Sequence, residues 1–151
     1  MKPLDDKKTV EQNKLLEEEL SNERKEWNSK ITELVYMMRE NRKLAEAQVI
    51  QLSYRQQVQE RLATYRILID KRQGMLDVQL RDRFREYTIG YDIKLNGTEK
   101  ASFSNADCVA LKQQVNMIKA QIIYFEECVK TLDNFGFAVR NKITLISQEL
   151  M

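Results

Sequence analysis

The chain contains no histidine, one proline and four glycines among its 151 residues. Without histidine it lacks the commonest general base and the commonest metal ligand, and neither a glycine-rich phosphate loop nor a dinucleotide turn is present. These absences argue against catalysis, so we expect a protein that is not an enzyme and uses no cofactor and no metal. Because proline and glycine are scarce, few positions force a helix to stop. The composition therefore predicts an all-α fold.

Two further absences concern the compartment. No apolar run approaches the roughly eighteen residues that a membrane-spanning helix needs, and the charged start of the sequence lacks the apolar core of a signal peptide. The two cysteines, Cys108 and Cys128, lie within an apolar helical pattern. This position indicates small buried side chains in a reducing compartment more than a disulfide or a metal pair. We expect no membrane partner.

A regular apolar repeat occupies the last third of the chain. Positions spaced alternately by three and four residues are apolar in twelve of thirteen cases, and the exception is a glycine. This set, called the C-terminal stripe below, consists of Cys108, Leu111, Val115, Ile118, Ile122, Phe125, Val129, Leu132, Gly136, Val139, Ile143, Ile146 and Leu150. A spacing of 3.5 residues keeps one face of a helix toward a partner helix over many turns.

Such a stripe needs another long helix to cover it, either from the same chain or from further copies. β-Branched residues at one position of the repeat, with Leu, Ile and Phe at the other, favour more than two strands. We therefore assign self-association to ten residues of the stripe. They are Leu111, Val115, Ile118, Ile122, Phe125, Val129, Leu132, Val139, Ile143 and Ile146. The alternative, in which the stripe is only the core of a monomeric helical hairpin, stays open.

The chain divides into four segments on this interpretation. Residues 1–26 form a polar, acidic helical arm, and residues 27–86 form a basic central region, helical from Trp27 with a kink or turn at 72–74. Residues 87–104 form a loop or short β-hairpin, because Asn96-Gly97 is a strong hairpin signal. Residues 105–151 carry the C-terminal heptad helix, capped near Ser104 and Asp107. The predicted fold is two long helices in an elongated hairpin.

Positive charge is concentrated in the middle of the chain, although the net charge is only +2. Residues 30–85 hold twelve basic and seven acidic side chains, and arginine outnumbers lysine nine to three. Arginine pairs bidentately with phosphate and stacks on bases. Tyr36, Tyr54 and Tyr65 lie among these arginines, which is typical of sequence-tolerant binding to single strands. The alternative is a solvated helix face whose arginines pair with nearby acidic residues.

Two parts of the sequence resemble the UvsY family of recombination mediators from T-even-type phages. The first is residues 125–143, where an apolar run with charged flanks leads into Asn134-Phe135-Gly136-Phe137, then an aliphatic, a basic residue and Asn141. The polar lead-in at residues 104–107 is similar as well. The second is residues 58–65, which resemble the basic segment near the end of the family's central helix.

The resemblance implies a helical homo-oligomer, arranged as a ring of several subunits, that binds single-stranded DNA. It also implies two protein partners, a single-strand-binding protein and a RecA-like recombinase that is loaded in its place. The setting would be phage recombination and repair in the cytoplasm of the bacterial host. The family's DNA-contacting arginine falls on Arg61, and Gln59 stands where the family has a lysine. With the surrounding residues, the predicted nucleic-acid site is Arg42, Lys43, Tyr54, Arg55, Arg61, Tyr65 and Arg66.

The main alternative function is a coiled-coil phage assembly, scaffolding or adaptor protein whose arginines only keep it soluble. It predicts the same oligomer without retention of DNA.

Overall fold

A computed structural model of the chain describes residues 7–90 and 94–150. In these ranges α1 is Lys7–Met37, α2 is Leu44–Ile89, α3 is Gly97–Asp107 and α4 is Val109–Leu150. A single turn of 3-10 helix, Asn41–Lys43, precedes α2. The described residues contain no β-strand, which confirms the all-α class. None of these helices has an apolar stretch long enough to cross a membrane.

The described residues divide into two compact units. The first unit contains residues 7–19, 66–90 and 94–120, and the second contains residues 20–65 and 121–150. Segments of α1, α2 and α4 occur in both units, whereas α3 belongs to the first alone. Three long helices therefore take the place of the two that were predicted.

The chain turns at residues 38–43, within the segment predicted as one long helix from Trp27 onward. Met38, Arg39 and Glu40 donate backbone hydrogen bonds to the residues three positions earlier, which tightens the last turn of α1. Glu40 then has an extended backbone, at φ −108° and ψ 111°. Glycine and proline are both absent here, so local preference does not stop the helix. The turn instead allows α1 and α2 to pack antiparallel and to cover α4 together.

Residues 72–74, predicted as a kink or turn, lie within the continuous helix α2. Glycine costs a helix only about 1 kcal/mol relative to alanine. Leu76 is buried two positions after Gly74, and Ile69 is packed against the same cluster. Burial of these side chains outweighs the cost of the glycine, so the prediction of a turn was wrong, and the prediction of a kink stays a prediction.

The β-hairpin predicted for residues 87–104 is also wrong where the structure describes them. Residues 87–89 continue α2, α3 begins at Gly97, and residues 91–93 lie outside the described residues. Asn96 caps α3: its side chain accepts from the Glu99 backbone N–H at 2.8 Å, and its own N–H donates to Glu99 Oε1 at 3.1 Å. This capping box satisfies two helix-end donors, and it prevails over the hairpin tendency of Asn-Gly.

The predicted cap of the last helix lies inside α3 instead. The Ser104 hydroxyl donates to the Lys100 carbonyl at 2.7 Å, and Asp107 accepts from the Tyr87 hydroxyl at 2.6 Å. Cys108 then leaves the helical conformation, at φ −112° and ψ 19°, and α4 starts at Val109.

The core of the first unit forms where α2 meets the start of α4. Leu76, Cys108, Leu111 and Val115 make one buried cluster, against which Ile69 and Leu80 pack. In the same unit, α1 is joined to α4 by a hydrogen bond from the buried Asn13 amide to the Ala110 carbonyl at 2.9 Å.

The core of the second unit is centred on Phe125 of α4, which is fully buried. Its ring stacks on Tyr65 of α2 at 5.8 Å and meets Trp27 of α1 edge-on at 6.4 Å. Trp27 in turn contacts Tyr54 of α2 at 5.5 Å, so all three helices share this aromatic cluster. Aromatic pairs of this kind stabilise a core by about 0.5–1.5 kcal/mol each beyond the area they bury.

The C-terminal stripe is covered by helices of the same chain. Six of the ten residues assigned to self-association are buried and four are partly buried. The buried six are Leu111, Val115, Ile118, Phe125, Leu132 and Val139; the partly buried four are Ile122, Val129, Ile143 and Ile146. The assignment of this stripe to an interface between copies is therefore corrected, because α1 and α2 occupy it.

Gly136 interrupts the stripe because a glutamine lies against it. The buried Gln51 amide of α2 donates to the Leu132 carbonyl at 3.0 Å, and a Cβ on Gly136 would lie 2.9 Å from Gln51 Nε2. A similar bond joins α4 to α1, where the fully buried Gln121 amide donates to the Leu20 carbonyl at 3.2 Å. Buried amides with few geometric alternatives fix the axial register of packed helices.

Gly136→Ala is expected to lower the free energy of unfolding by about 1 kcal/mol, because overpacking a core costs about 1–3 kcal/mol and the helix preference of alanine returns only about 1 kcal/mol. In a Gln51→Ala background, Gly136→Ala should instead raise the free energy of unfolding. Removal of the glutamine side chain leaves space beside Gly136 for the added methyl group. Urea unfolding of the wild type, both single variants and the double variant measures this. Gly74→Ala is the matched control: nothing lies within 4 Å of its Cβ position, so alanine should stabilise there. Equal effects of Gly136→Ala in both backgrounds would contradict the packing described.

Candidate nucleic-acid interface

Arg61, the residue that the resemblance assigns to DNA, is held in a hydrogen-bond network of the second unit. Its Nε and Nη2 donate to the two carboxylate oxygens of Glu23, both at 2.9 Å, and Nη2 also donates to the Tyr65 hydroxyl at 2.9 Å. Tyr65 donates to Glu23 Oε2 at 2.6 Å. The hydrogen bonds that Arg61 donates to Glu23 raise the pKa of Arg61, so the guanidinium stays charged. This bidentate pair joins α1 to α2, and it uses donors that a phosphate would need.

The two tyrosines of the predicted site are packed against other rings. Tyr65 is only 4% exposed and lies flat on Phe125, so the prediction that it stacks on bases is corrected. Tyr54 is partly buried and meets the edge of Trp27 at 5.5 Å. Both rings therefore contribute to the core of the second unit, because their apolar area is worth more buried than exposed.

The remaining predicted residues are more accessible. Arg42 and Lys43 lie on the 3-10 turn and pair with Glu40 at 3.0 and 3.7 Å, and 81% of the Arg42 side chain is exposed. Arg55 donates from Nε to Asp133 at 2.7 Å. Exposed pairs of this kind are worth only about 0–1 kcal/mol, so an anion can compete for their cations. Arg66 is exposed, but it belongs to the first unit.

Two exposed aromatic rings with stacked guanidinium groups lie outside the predicted site of seven residues, although Tyr36 was noted among the arginines of the middle segment. Arg39 lies over the ring of Tyr36 at 4.6 Å, and Arg140 lies over the ring of Phe137 at 4.7 Å. Tyr36 is 54% exposed and Phe137 is 58% exposed. In both pairs the arginine follows the aromatic residue by three positions, and this spacing on a helix places the two side chains together. The two stacks could therefore have been predicted from the sequence, as an aromatic residue followed by an arginine three positions later.

The α1–α2 turn and α4 bring these groups together. The Lys142 ammonium group donates to the Met38 carbonyl, so α4 reaches the turn. Residues 36–43 and 137–142 together hold five basic side chains and one acidic side chain. We call this set the turn-end surface; it consists of Tyr36, Arg39, Arg42, Lys43, Phe137, Arg140 and Lys142. Cations beside accessible aromatic faces are the groups that single-stranded nucleic acids bind.

Metal ligands do not cluster in the described ranges, where no group of three or more Cys, Asp or Glu side chains is placed to hold an ion. Comparison of the chain with protein-family models, curated proteins and solved structures finds no match. The resemblance to the UvsY family therefore stays a prediction.

The Glu23–Arg61–Tyr65 network predicts a pH dependence of stability. Burial, followed by the hydrogen bond to Glu23, raises the pKa of Tyr65 from 10 to about 12. Because the folded-state pKa is the higher one, this group contributes stability that is present below pH 10 and is lost as the pH rises through 12. Tyr65→Phe should be less stable than wild type by about 1 kcal/mol at pH 8, with a difference that shrinks by pH 11.

Urea unfolding at several pH values measures this difference. Tyr36→Phe, which removes an exposed hydroxyl, is the matched control. A difference between wild type and Tyr65→Phe that is constant from pH 8 to pH 11 would count against the network.

Proposed function

We propose that this protein binds single-stranded DNA through the turn-end surface and acts as a recombination mediator. The observation that carries the proposal is the pair of exposed aromatic–guanidinium stacks, Tyr36 with Arg39 and Phe137 with Arg140, at a strongly cationic end of the second unit. Base stacking on such rings is worth about 1–3 kcal/mol per base and tolerates any base. Contacts to phosphate add affinity that is independent of sequence.

This proposal moves the main DNA contact away from Arg61. A phosphate at Arg61 would have to displace a bidentate carboxylate that also accepts from Tyr65. Arg39, Arg42 and Lys43 carry no comparable constraint among the described residues, where Arg42 and Lys43 pair with exposed Glu40 and Arg39 stacks on Tyr36. Electrostatic attraction therefore favours the turn-end surface over the central arginines.

The mediator role follows the resemblance. In this proposal several copies form a ring, the strand contacts several turn-end surfaces at once, and avidity raises the affinity well above that of one copy. The ring competes with a single-strand-binding protein and presents the strand to a RecA-like recombinase in the cytoplasm of the phage's bacterial host. Because α1 and α2 cover most of the C-terminal stripe, copies would meet near the end of α4, where Ile143 and Ile146 are partly buried and Leu145 and Leu150 are exposed.

The alternative, a coiled-coil assembly, scaffolding or adaptor protein, is favoured by a different observation. In the second unit, Val49 and Leu52 of α2 expose most of their side-chain surface, although they lie on a packed helix. Exposed apolar side chains in close succession are typical of protein-binding surfaces. This function requires no affinity for DNA.

Removal of three charges from the turn-end surface tests the proposal. Fluorescence anisotropy with a labelled thymidine oligonucleotide measures the affinity of wild type and of the Arg39→Gln, Arg42→Gln, Lys43→Gln triple variant over a range of salt concentrations. We expect weaker binding by the variant, and a slope of log affinity against log salt that is smaller by about two, since each phosphate contact contributes roughly 0.7 for single strands.

The control removes the same charges from exposed positions of α2 in the first unit, as Lys71→Gln, Arg81→Gln and Arg85→Gln. This control variant should keep most of the wild-type slope of log affinity against log salt. Equal losses in both triple variants would show a general charge effect and overturn the assignment of the surface. Absence of binding by wild type at moderate salt would instead support the assembly or adaptor function.

A further inference from the structure

A groove between α2 and α4 in the second unit shares Phe137 and Arg140 with the turn-end surface and is large enough to hold part of a ligand. Its volume is about 470 Å³, within the range of about 300–1,000 Å³ that is usual for small-molecule clefts. Gln51 and Gly136, both buried, form its floor, and Leu52 and Phe137 expose more than half of their side-chain surface along it. Apolar walls of this kind suit a flat, aromatic ligand group.

The same groove contains two guanidinium groups and one carboxylate. Arg140 lies over the Phe137 ring at 4.7 Å and donates from Nε to the Gly136 carbonyl at 3.3 Å. Arg55 donates from Nε to Asp133 at 2.7 Å. The groove thus carries one uncompensated positive charge next to an aromatic face. An unpaired nucleotide, with one base and one phosphate, matches this combination.

We propose that the groove holds one nucleotide of a bound single strand, with Asp133 in the position of its phosphate when no strand is present. The base lies on Phe137, and the phosphate joins Arg55 to Arg140. This inference rests on the proposed function. It adds a binding position for one nucleotide, and it identifies Asp133 as an acidic residue that opposes binding. A base within a duplex cannot enter, because its faces are already stacked on neighbouring base pairs.

The exposure of the Asp133–Arg55 pair makes the exchange possible. About 40% of each side chain is exposed, so the pair contributes little to stability and is partly screened by solvent. In this proposal the phosphate contacts both Arg55 and Arg140, whereas the Asp133 carboxylate is hydrogen-bonded to Arg55. Asp133 therefore weakens strand binding without preventing it.

The decisive variant is Asp133→Asn, which keeps the shape and the hydrogen-bond acceptor but removes the charge. We expect it to bind a thymidine oligonucleotide about two- to five-fold more tightly than wild type, the amount that corresponds to an exposed ion pair of about 0.4–1 kcal/mol. The matched control is Glu127→Gln on the same helix. It also removes one acidic charge and frees a cation, Lys130, from an exposed pair at 3.1 Å, but it lies outside the groove.

A neutral substitution separates stacking from charge. Phe137→Leu should weaken binding by about five-fold or more, because a stacked base contributes at least about 1 kcal/mol. Phe103→Leu, at an exposed phenylalanine of the first unit, is its control and should leave affinity unchanged. Photocrosslinking with a 5-iodouracil oligonucleotide, followed by mass spectrometry, should identify the peptide that contains Phe137. Circular dichroism confirms that each variant is folded.

The outcomes distinguish this inference from the proposed function. Tighter binding by Asp133→Asn than by Glu127→Gln, with a loss in Phe137→Leu, supports the groove. Equal affinities of Asp133→Asn and Glu127→Gln overturn the groove while leaving DNA binding by the turn-end surface intact. A Phe137→Leu variant that binds as wild type does overturns the groove and also removes Phe137 from the turn-end surface, whose remaining cations are tested separately by the Arg39→Gln, Arg42→Gln, Lys43→Gln variant. A wild-type protein that does not bind the oligonucleotide overturns both.

Discussion

Burial of the C-terminal stripe within the chain is the constraint on which the rest of the structure depends. The apolar side chains on one face of α4 can avoid water only under other helices, and in the two units α1 and α2 cover ten of them wholly or in part. To do so, α1 and α2 must be antiparallel, which requires a reversal of the chain at residues 38–43. The turn then brings Arg39, Arg42 and Lys43 to the part of α4 that carries Arg140. The cationic surface is thus a consequence of how the apolar face is covered.

Apolar packing alone determines the axial position of neighbouring helices only loosely. In this chain, hydrogen bonds from buried amides fix that position. Gln51 lies against Gly136 and bonds to Leu132, while Gln121 bonds to Leu20. A shift along α4 would leave these amides unsatisfied in the core, at a cost of about 1–3 kcal/mol for each. The same register places Arg55 opposite Asp133 and sets Phe137 on the wall of the groove. The positions of the groove residues therefore depend on hydrogen bonds made by polar groups in the core.

The arginines of this chain have two different roles, which their geometry separates. Arg61 holds Glu23 with two hydrogen bonds and supports Tyr65, so it acts as a structural link between α1 and α2. Arg39 and Arg140 stack on exposed rings, and most of the Arg42 side chain is open to solvent. A phosphate can bind only those cations whose own ion pairs are weak enough to be broken. The net charge of a segment therefore does not show which of its cations are available to a phosphate.

The all-α class and the buried face of α4 could be predicted from the sequence, because scarce helix breakers and a 3.5-residue repeat act through local geometry. Arg42, Lys43 and Arg55 could also be selected as accessible cations. Tertiary structure alone decided three features. These are the turn at residues 38–43, the fact that helices of the same chain cover the stripe, and the difference between Arg61 and Arg140. No glycine or proline marks the turn, and a carboxylate 38 positions away is invisible to any local pattern. Local spacing determines which face of a helix is apolar, whereas only the folded chain determines what covers that face and which charges it leaves free.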